Sequence, residues 1–351
     1  MIGNEPLSDR ELRIMDIVRA TQPVSIAAIH AELGDTVSRP TLNRDLVKLC
    51  AAGWLQRSGV GKATRYALHD RYSLFGPVDL RRYFERDPDV RDGRRTYNFE
   101  VMDLLRGQPL FSLAERQTLE QARQTYQDDL QRLPAVLYRK ELQRLTIELS
   151  WKSAQIEGNT YTLLETERLL CEQEEARGRT RAEAIMLLNH KRVFEEIVEH
   201  GLPDQGLTVG YIASIHAVLM KGLEVGQNIR TRAVGITGTA YRPLDNDHQI
   251  REQLEALCHL VNAREDGFER ALLAVLLISY IQPFEDGNKR TARMIGNALL
   301  LHYQACPLSY RSVDPVHYKE AMLLFYEQNN VSAFKALFLQ QVQFASEQYF
   351  R

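Results

Sequence analysis

Between Ile281 and Arg293 the chain reads IQPFEDGNKRTAR, which brings a proline, a glycine, two carboxylates and three cations into one short stretch. Residues 271–281 before it form a continuous apolar run, long enough for a buried helix, and Pro283 cannot sit inside one, so the chain must turn there. Gly287 supplies a permissive backbone just ahead of a second apolar helix, Thr291 to Tyr303. Free N–H groups at a helix start, at the positive end of its dipole, form an anion site. Lys289, Arg290 and Arg293 add side-chain cations, and the spacing of 290 and 293 places both arginines on one helical face. Asp286 offers an anionic oxygen beside them, which suits Mg²⁺, an ion that takes few protein ligands and completes its shell with water and phosphate. The chemistry this spacing serves is the binding of a nucleotide di- or triphosphate with magnesium.

A second stretch, Ser153-Ala154-Gln155-Ile156-Glu157-Gly158-Asn159, lies upstream. Residues 137–156 read as one helix that Gly158 ends. Glu157 then falls in the last turn, where the helix dipole opposes a carboxylate, so a cation is needed to compensate.

IQPFEDGNKRTAR resembles the signature of Fic-domain proteins, in which a histidine is followed by x-F-x-D/E-G-N-G/K-R-x-x-R. Pro283, Phe284, Asp286, Gly287, Asn288, Lys289, Arg290 and Arg293 stand in register with it, and the histidine position holds Gln282. SAQIEGN is similar to the family's inhibitory motif, S/T-x-x-x-E-G/N. The resemblance extends over residues 101 to 345 or so, and a winged helix-turn-helix at one end is a known companion of the domain.

The resemblance implies a mainly α fold, an all-helical core with a small β-hairpin flap, that moves AMP from ATP onto a Ser, Thr or Tyr hydroxyl of a target protein. Asp286 would hold Mg²⁺, the backbone at Gly287 and Asn288 with Arg290 would grip the α- and β-phosphates, Arg293 would meet the γ-phosphate, and Lys289 would join the nucleotide-binding set. Phe284 would pack the loop into the core. The β-flavoured segment Arg230, Thr231, Arg232, Ala233, Val234, Gly235 and Ile236 would form the flap and align the target by strand addition. Glu157 would pair with Arg293 and block a productive γ-phosphate.

In the family the histidine takes the proton of the attacking hydroxyl, which requires a group whose basic form exists near neutral pH. The carboxamide of Gln282 can hydrogen-bond a hydroxyl but not deprotonate it. AMP transfer is therefore expected to be crippled while ATP binding is not. Glu285 is expected to point out of the loop, and none of the nine histidines lies in it. Three accounts stay open: a natural nucleotide-binding pseudoenzyme, a chain whose base was deliberately removed, or a reaction that needs no base here. The last includes removal of AMP from a modified target, with Glu157 orienting water.

These elements need a frame, and the rest of the chain supplies one. Ser8 with Glu11 opens an amphipathic first helix, Ile26, Ile29 and Leu33 mark a second ended by Gly34, and Ser38 caps a third, RPTLNRDLVKLC. Two strand-like runs then flank the glycine-bearing tip of residues 58–63. From Thr36 to Leu68 six cations face Asp45 alone, a net +5 on a chain whose total is −2. Helices plus a basic wing resemble a winged helix-turn-helix, with Arg39, Thr41, Asn43, Arg44, Lys48, Lys62 and Arg65 as candidate DNA contacts. Such a unit also serves elsewhere for docking or dimerisation, so a homodimer stays open. We therefore expect a winged helix-turn-helix over residues 1–70, a connector over 71–100, rich in Gly, Pro and charge, and a Fic domain over 101–351. A DNA-binding regulator whose Fic domain senses nucleotide is the alternative to an enzyme.

Of the 351 residues 44% are hydrophobic and 26% charged, which excludes a disordered chain. The four cysteines are scattered, with no zinc spacing, and fit reduced thiols. The polar start MIGNEPLSDREL is no signal peptide, and the longest apolar run is too short for a bilayer, so a cytoplasmic protein without membrane contact is expected.

Overall fold

The computed structural model describes residues 7–34 and 37–351. Residues 1–6 of the polar start and Thr36, the first residue of the basic segment, fall outside them.

The N-terminal unit follows its caps. Helix α1 (Asp9–Thr21) opens on the Ser8–Glu11 capping box, α2 (Ile26–Leu33) on Ser25, and α3 (Arg39–Ala51) on Ser38. Strands β1 (Leu55–Ser58) and β2 (Arg65–Leu68) pair antiparallel, Leu55 opposite Leu68. Ile14, Met15, Val18, Ile29, Leu42, Leu46 and Leu49 are shut off from solvent and form this unit's own core.

Helix α4 (Asp70–Phe75) belongs to two cores at once: Tyr72 packs into the winged unit and Leu74 into the helical body. Beyond α5 (Leu80–Phe84) the connector lies against the helical body, where the Asn98 N–H donates to the Tyr280 hydroxyl and its Nδ2 donates to Asn329 Oδ1.

The body itself is helical. It comprises α6 (Val101–Arg106), α7 (Leu113–Arg132), α8 (Ala135–Ile156), α9 (Leu163–Glu172), α10 (Arg181–His200), α11 (Val209–Leu219), α12 (Asp247–Asn262), α13 (Gly267–Ile281), α14 (Asn288–His302), α15 (Pro315–Gln328) and α16 (Ser332–Gln348). Capping boxes at Ser112–Glu115, Thr162–Glu165 and Thr180–Glu183 start α7, α9 and α10. The apolar run expected at 271–281 is the heart of α13, buried along nearly its whole length and packed on α14. Each Leu, Ile or Val it buries contributes about 1.5–3 kcal/mol, which makes this pair the rigid floor on which the connecting loop stands.

One expectation fails. The β-branched segment around 229–241 is irregular, and the β1–β2 hairpin is the one strand ladder among the described residues. Strand propensity needs a neighbour to pair with, and none lies alongside. Carbonyls in and just beyond the segment are met by guanidinium groups instead: Arg230 donates to Arg232 O at 2.7 Å and to Leu244 O, and Arg91 donates to Gly238 O. A single bridge, Thr96 with Arg242, ties its far end to the connector.

Candidate nucleotide-binding site

The loop between α13 and α14 is held from inside. Gln282 ends α13 in the left-handed region, at φ 51°, with its N–H on Ile278 O. Phe284 is wholly buried and stacks on the His216 ring, centroids 3.6 Å apart, while His216 Nε2 meets the Asp286 carbonyl at 3.0 Å. Asn288 acts as a staple: its Oδ1 accepts the Phe284 N–H at 2.8 Å, and its Nδ2 donates to Phe284 O at 2.8 Å and to Gln282 Oε1 at 3.0 Å. Gly287 has φ 80°, and a Cβ there would lie 2.7 Å from Met220 Sδ, so any other residue would be strained and would push the Met220 side chain aside.

The start of α14 is left open. No side chain caps it, unlike the helices with Ser, Thr or Asp caps. Arg290, 2% exposed, pairs with Asp286 Oδ2 at 2.7 Å through Nη2, while its Nε and Nη1 are buried without a partner. A buried unpaired donor costs about 1–3 kcal/mol, more when charged, and an anion at the helix start would satisfy it.

Arg293 lies deeper and is 0% exposed. Its Nε donates to Ser153 Oγ at 2.9 Å, and its Nη2 donates to Ser153 O at 2.8 Å and to Glu157 Oε1 at 3.0 Å; Tyr318 stacks under the guanidinium at 5.2 Å. The other Glu157 oxygen accepts Lys289 Nζ at 3.0 Å. Burial alone would raise the Glu157 pKa, but Arg293 and Lys289 outweigh it and hold the carboxyl down to about 2. Behind the arginine, Ser153 Oγ meets His190 Nε2 at 3.0 Å, and His190 Nδ1 lies 2.8 Å from Met186 O. Since that carbonyl can only accept, Nδ1 carries the proton and Nε2 accepts the serine O–H. Burial, then the nearby Arg290, push the His190 pKa down to about 3, so the ring is neutral.

A cavity of about 500 Å³ opens onto the loop. The loop forms one wall, flap residues 234–238 a second, and Lys319, Met322, Leu323 and Tyr326 of α15 a third. Glu157 and Lys289 line it, whereas Arg293 sits behind them. Glu157 therefore occupies the route by which an anion would reach Arg293.

Gln282 also lines the cavity, but both ends of its amide are engaged: Nε2 donates to Ser279 O at 2.6 Å and Oε1 accepts from Asn288. Asp286 is exposed, and no cluster of three metal-ligating side chains exists among the described residues. Mg²⁺ fits this donor set only together with phosphate oxygens, since one carboxylate is the protein's share. Glu285 is exposed and leans toward Gly226 in the loop before the flap.

Other sequence candidates are redistributed. Arg230 is no docking residue: it is 2% exposed, and its Nε donates to Gln282 O at 2.6 Å, clamping the flap to the loop. Thr231, Arg232, Ala233 and Gly235 are exposed, and Val234 and Ile236 half-buried. On α3, Arg39, Asn43 and Arg44 stand in solvent, Thr41 is half-buried beside Ser38, and Lys48 is drawn to Glu11 at 3.0 Å. On the wing Lys62 is exposed, and Arg65 bends back onto the Lys62 and Thr64 carbonyls. Sequence reasoning missed the α15 wall, although 319, 322, 323 and 326 share one helical face by spacing. It also missed His190, for which no local pattern exists.

Residues 206–300 match the Fic/DOC family model, spanning the flap, the loop and α14 up to Leu300. The chain carries a Fic/DOC domain. Glu157 and α15 lie outside the matched stretch of that Fic/DOC domain, so their place beside it is a matter of the fold. Residues 7–73 match the penicillinase repressor family, which agrees with the winged unit. Among solved structures, Fic-1 (residues 134–508) from C. elegans aligns at 18% identity and TM-score 0.58, covering 98% of this chain and 92% of that one. A Fic-domain-containing signaling protein from Bacteroides thetaiotaomicron aligns at 20% identity and TM-score 0.55, covering 66% and 96%. A Fic family protein from Desulfovibrio desulfuricans aligns at 18% and 0.54, covering 69% and 76%. At these identities the likeness speaks for the fold.

Proposed function

We propose that the cavity at the start of α14 binds the polyphosphate of ATP, and that the domain is an AMP-transfer scaffold held in check twice, by Glu157 and by Gln282. Members of the Fic family commonly transfer AMP to proteins. The observation that carries the reading is Arg290: buried, half unpartnered, and next to an uncapped helix start at the cavity wall. In the transfer, a target hydroxyl oxygen would bond to the α-phosphorus, the bond to pyrophosphate would break, and the hydroxyl proton would need an acceptor. Gln282 offers none. On this reading Asp286 would leave Arg290 for Mg²⁺, which would neutralise phosphate charge when bound.

Glu157 is the first check because it fills the anion route and occupies Arg293. A carboxyl held to about 2 is a weak base, which disfavours the hydrolytic alternative in which Glu157 activates water. Calorimetric titration with MgATP tests the reading: the chain should bind, Glu157→Gly should bind more tightly, and Arg290→Ala should bind at least tenfold more weakly, the scale of a hydrogen bond to a charged group. Equal affinity of Arg290→Ala and the parent would sink it.

A second reading is favoured by α4. The winged unit, through which DNA binding is proposed, shares that helix with the body: Leu74 O accepts the Val331 N–H at 2.7 Å, and Asn330 Nδ2 donates to Gly76 O at 2.9 Å, both just past α15. A nucleotide resting on α15 and a duplex on α3 would thus act on one rigid linkage, and each would change the other's affinity by the same factor. Binding of duplex DNA measured with and without MgATP tests it, and no difference in affinity would count against the coupling.

A further inference from the structure

The connector reads as a linker in sequence, yet Arg91 is 8% exposed and reaches two walls of the cavity. Its Nη2 donates to the Gly238 carbonyl of the flap and to Glu327 Oε1 of α15 at 2.8 Å. The guanidinium lies 4.8 Å from the centre of the Phe84 ring, and the Tyr83 hydroxyl donates to the second Glu327 oxygen at 2.6 Å. Arg94 N–H takes the Glu327 carbonyl at 2.6 Å. Gly93 is pressed so close that a Cβ would stand 2.8 Å from Glu327 Cβ. Glu327 itself is 3% exposed in the last turn of α15, where the dipole opposes its charge. Arg91 supplies the compensating cation.

The flap has no strand partner, and between the backbone bonds at its two ends, Arg230 N–H to Pro283 O and Arg242 N–H to Arg95 O, side chains fix it. Arg230 clamps its start to the loop, and Arg91 clamps Gly238 to α15. We infer that Arg91 is a positioning residue of the cavity: from the connector it sets the gap between the flap and α15, and so the fit of whatever ligand lies between them. Since a single nitrogen makes both contacts, a lysine can replace it in part, whereas an uncharged side chain of similar length cannot.

The test compares Arg91→Met, which keeps an unbranched apolar stem but no charge, with Arg91→Lys. In hydrogen exchange on the ligand-free protein, Arg91→Met should raise exchange about tenfold or more at Tyr241 and Arg242, whose N–H groups bond to Thr239 Oγ1 and Arg95 O, with α13 unchanged, and Arg91→Lys should restore most of the protection. MgATP affinity should fall by about the same factor in Arg91→Met and less in Arg91→Lys. Unchanged flap exchange would overturn the inference, and so would an equal rise across α13 and α14, which marks general loosening. The affinity arm rests on the nucleotide reading; the exchange arm does not. If the parent chain binds no nucleotide, that reading fails and exchange alone decides.

Discussion

In the winged unit Arg39, Arg44 and Lys62 stand in solvent, whereas Arg230, Arg290 and Arg293 of the helical body are 2%, 2% and 0% exposed. The same residue chemistry is used in two regimes. Exposed cations attract a polyanion at long range and yield to salt, while buried cations are fixed by partners, act locally, and are screened little. The buried set has a further property: each arginine already has a carboxylate or carbonyl acceptor on one side, although Arg290 keeps Nε and Nη1 without a partner, so a ligand that takes the whole guanidinium must displace something. For Arg290 that is Asp286, and for Arg293 it is Glu157.

The largest effect expected from that contrast is at Gln282. In a chain carrying Glu157→Gly, adding Gln282→His should raise transfer of label from ATP marked at the α-phosphate by about 10²–10⁴, the usual worth of a general base. No label on candidate targets after both changes would leave the buried cations as a binding device without transfer.

Next comes the buried pair itself. Arg293→Ala leaves Glu157 with Lys289 alone and should destabilise the fold by about 3 kcal/mol, read from denaturant unfolding, since removing one partner strands a buried charge. Arg39→Ala, on an exposed cation, should cost little by the same measure. Equal losses would erase the distinction between the two regimes.

How far the sequence carried this picture can be seen in the same residues. The turn at Pro283, the left-handed Gly287 and the buried helix on each side follow from local rules, and so do the caps at Ser8 and Ser38. The side of a clamp that comes from a distant element does not. Arg230 reads as a surface residue because arginines seldom lie buried, and its acceptors are backbone carbonyls that carry no sequence mark. The run 229–236 reads as a strand because propensity is local while pairing is not. Arg91 sits in a stretch whose glycine and prolines signal a loop, although Gly93 serves for close packing on Glu327.

Acid should separate the regimes further. His190 has a folded pKa of about 3 against an ordinary 6.5, so below pH 6.5 the unfolded chain takes up a proton that the folded one refuses. Stability is therefore lost as pH falls from 6.5 toward 3, at up to about 1.4 kcal/mol per pH unit. Glu157 adds a loss between its ordinary value near 4.5 and about 2. Thermal unfolding from pH 7 to 4 should show the slope, and His190→Gln should flatten it. The Glu157 clamp, in contrast, stays charged in the folded chain down to near its pKa of about 2, so mild acid should not release it.

The smallest expected effects lie on the exposed side and sharpen the comparison most directly. Binding of duplex DNA should weaken with salt, and each cation that meets a phosphate should contribute close to one unit of the log–log slope. Arg39→Ala or Lys62→Ala should lower that slope by about one. Lys48→Ala should lower it less, because Glu11 already holds its ammonium at 3.0 Å and must be displaced first. MgATP affinity over the same salt range should change far less, since Arg290 and Arg293 are shielded by the fold. A Lys48 variant that matches Arg39→Ala would mean that exposed and partnered cations on α3 meet the duplex alike, and the boundary between the two regimes would then run along the body alone.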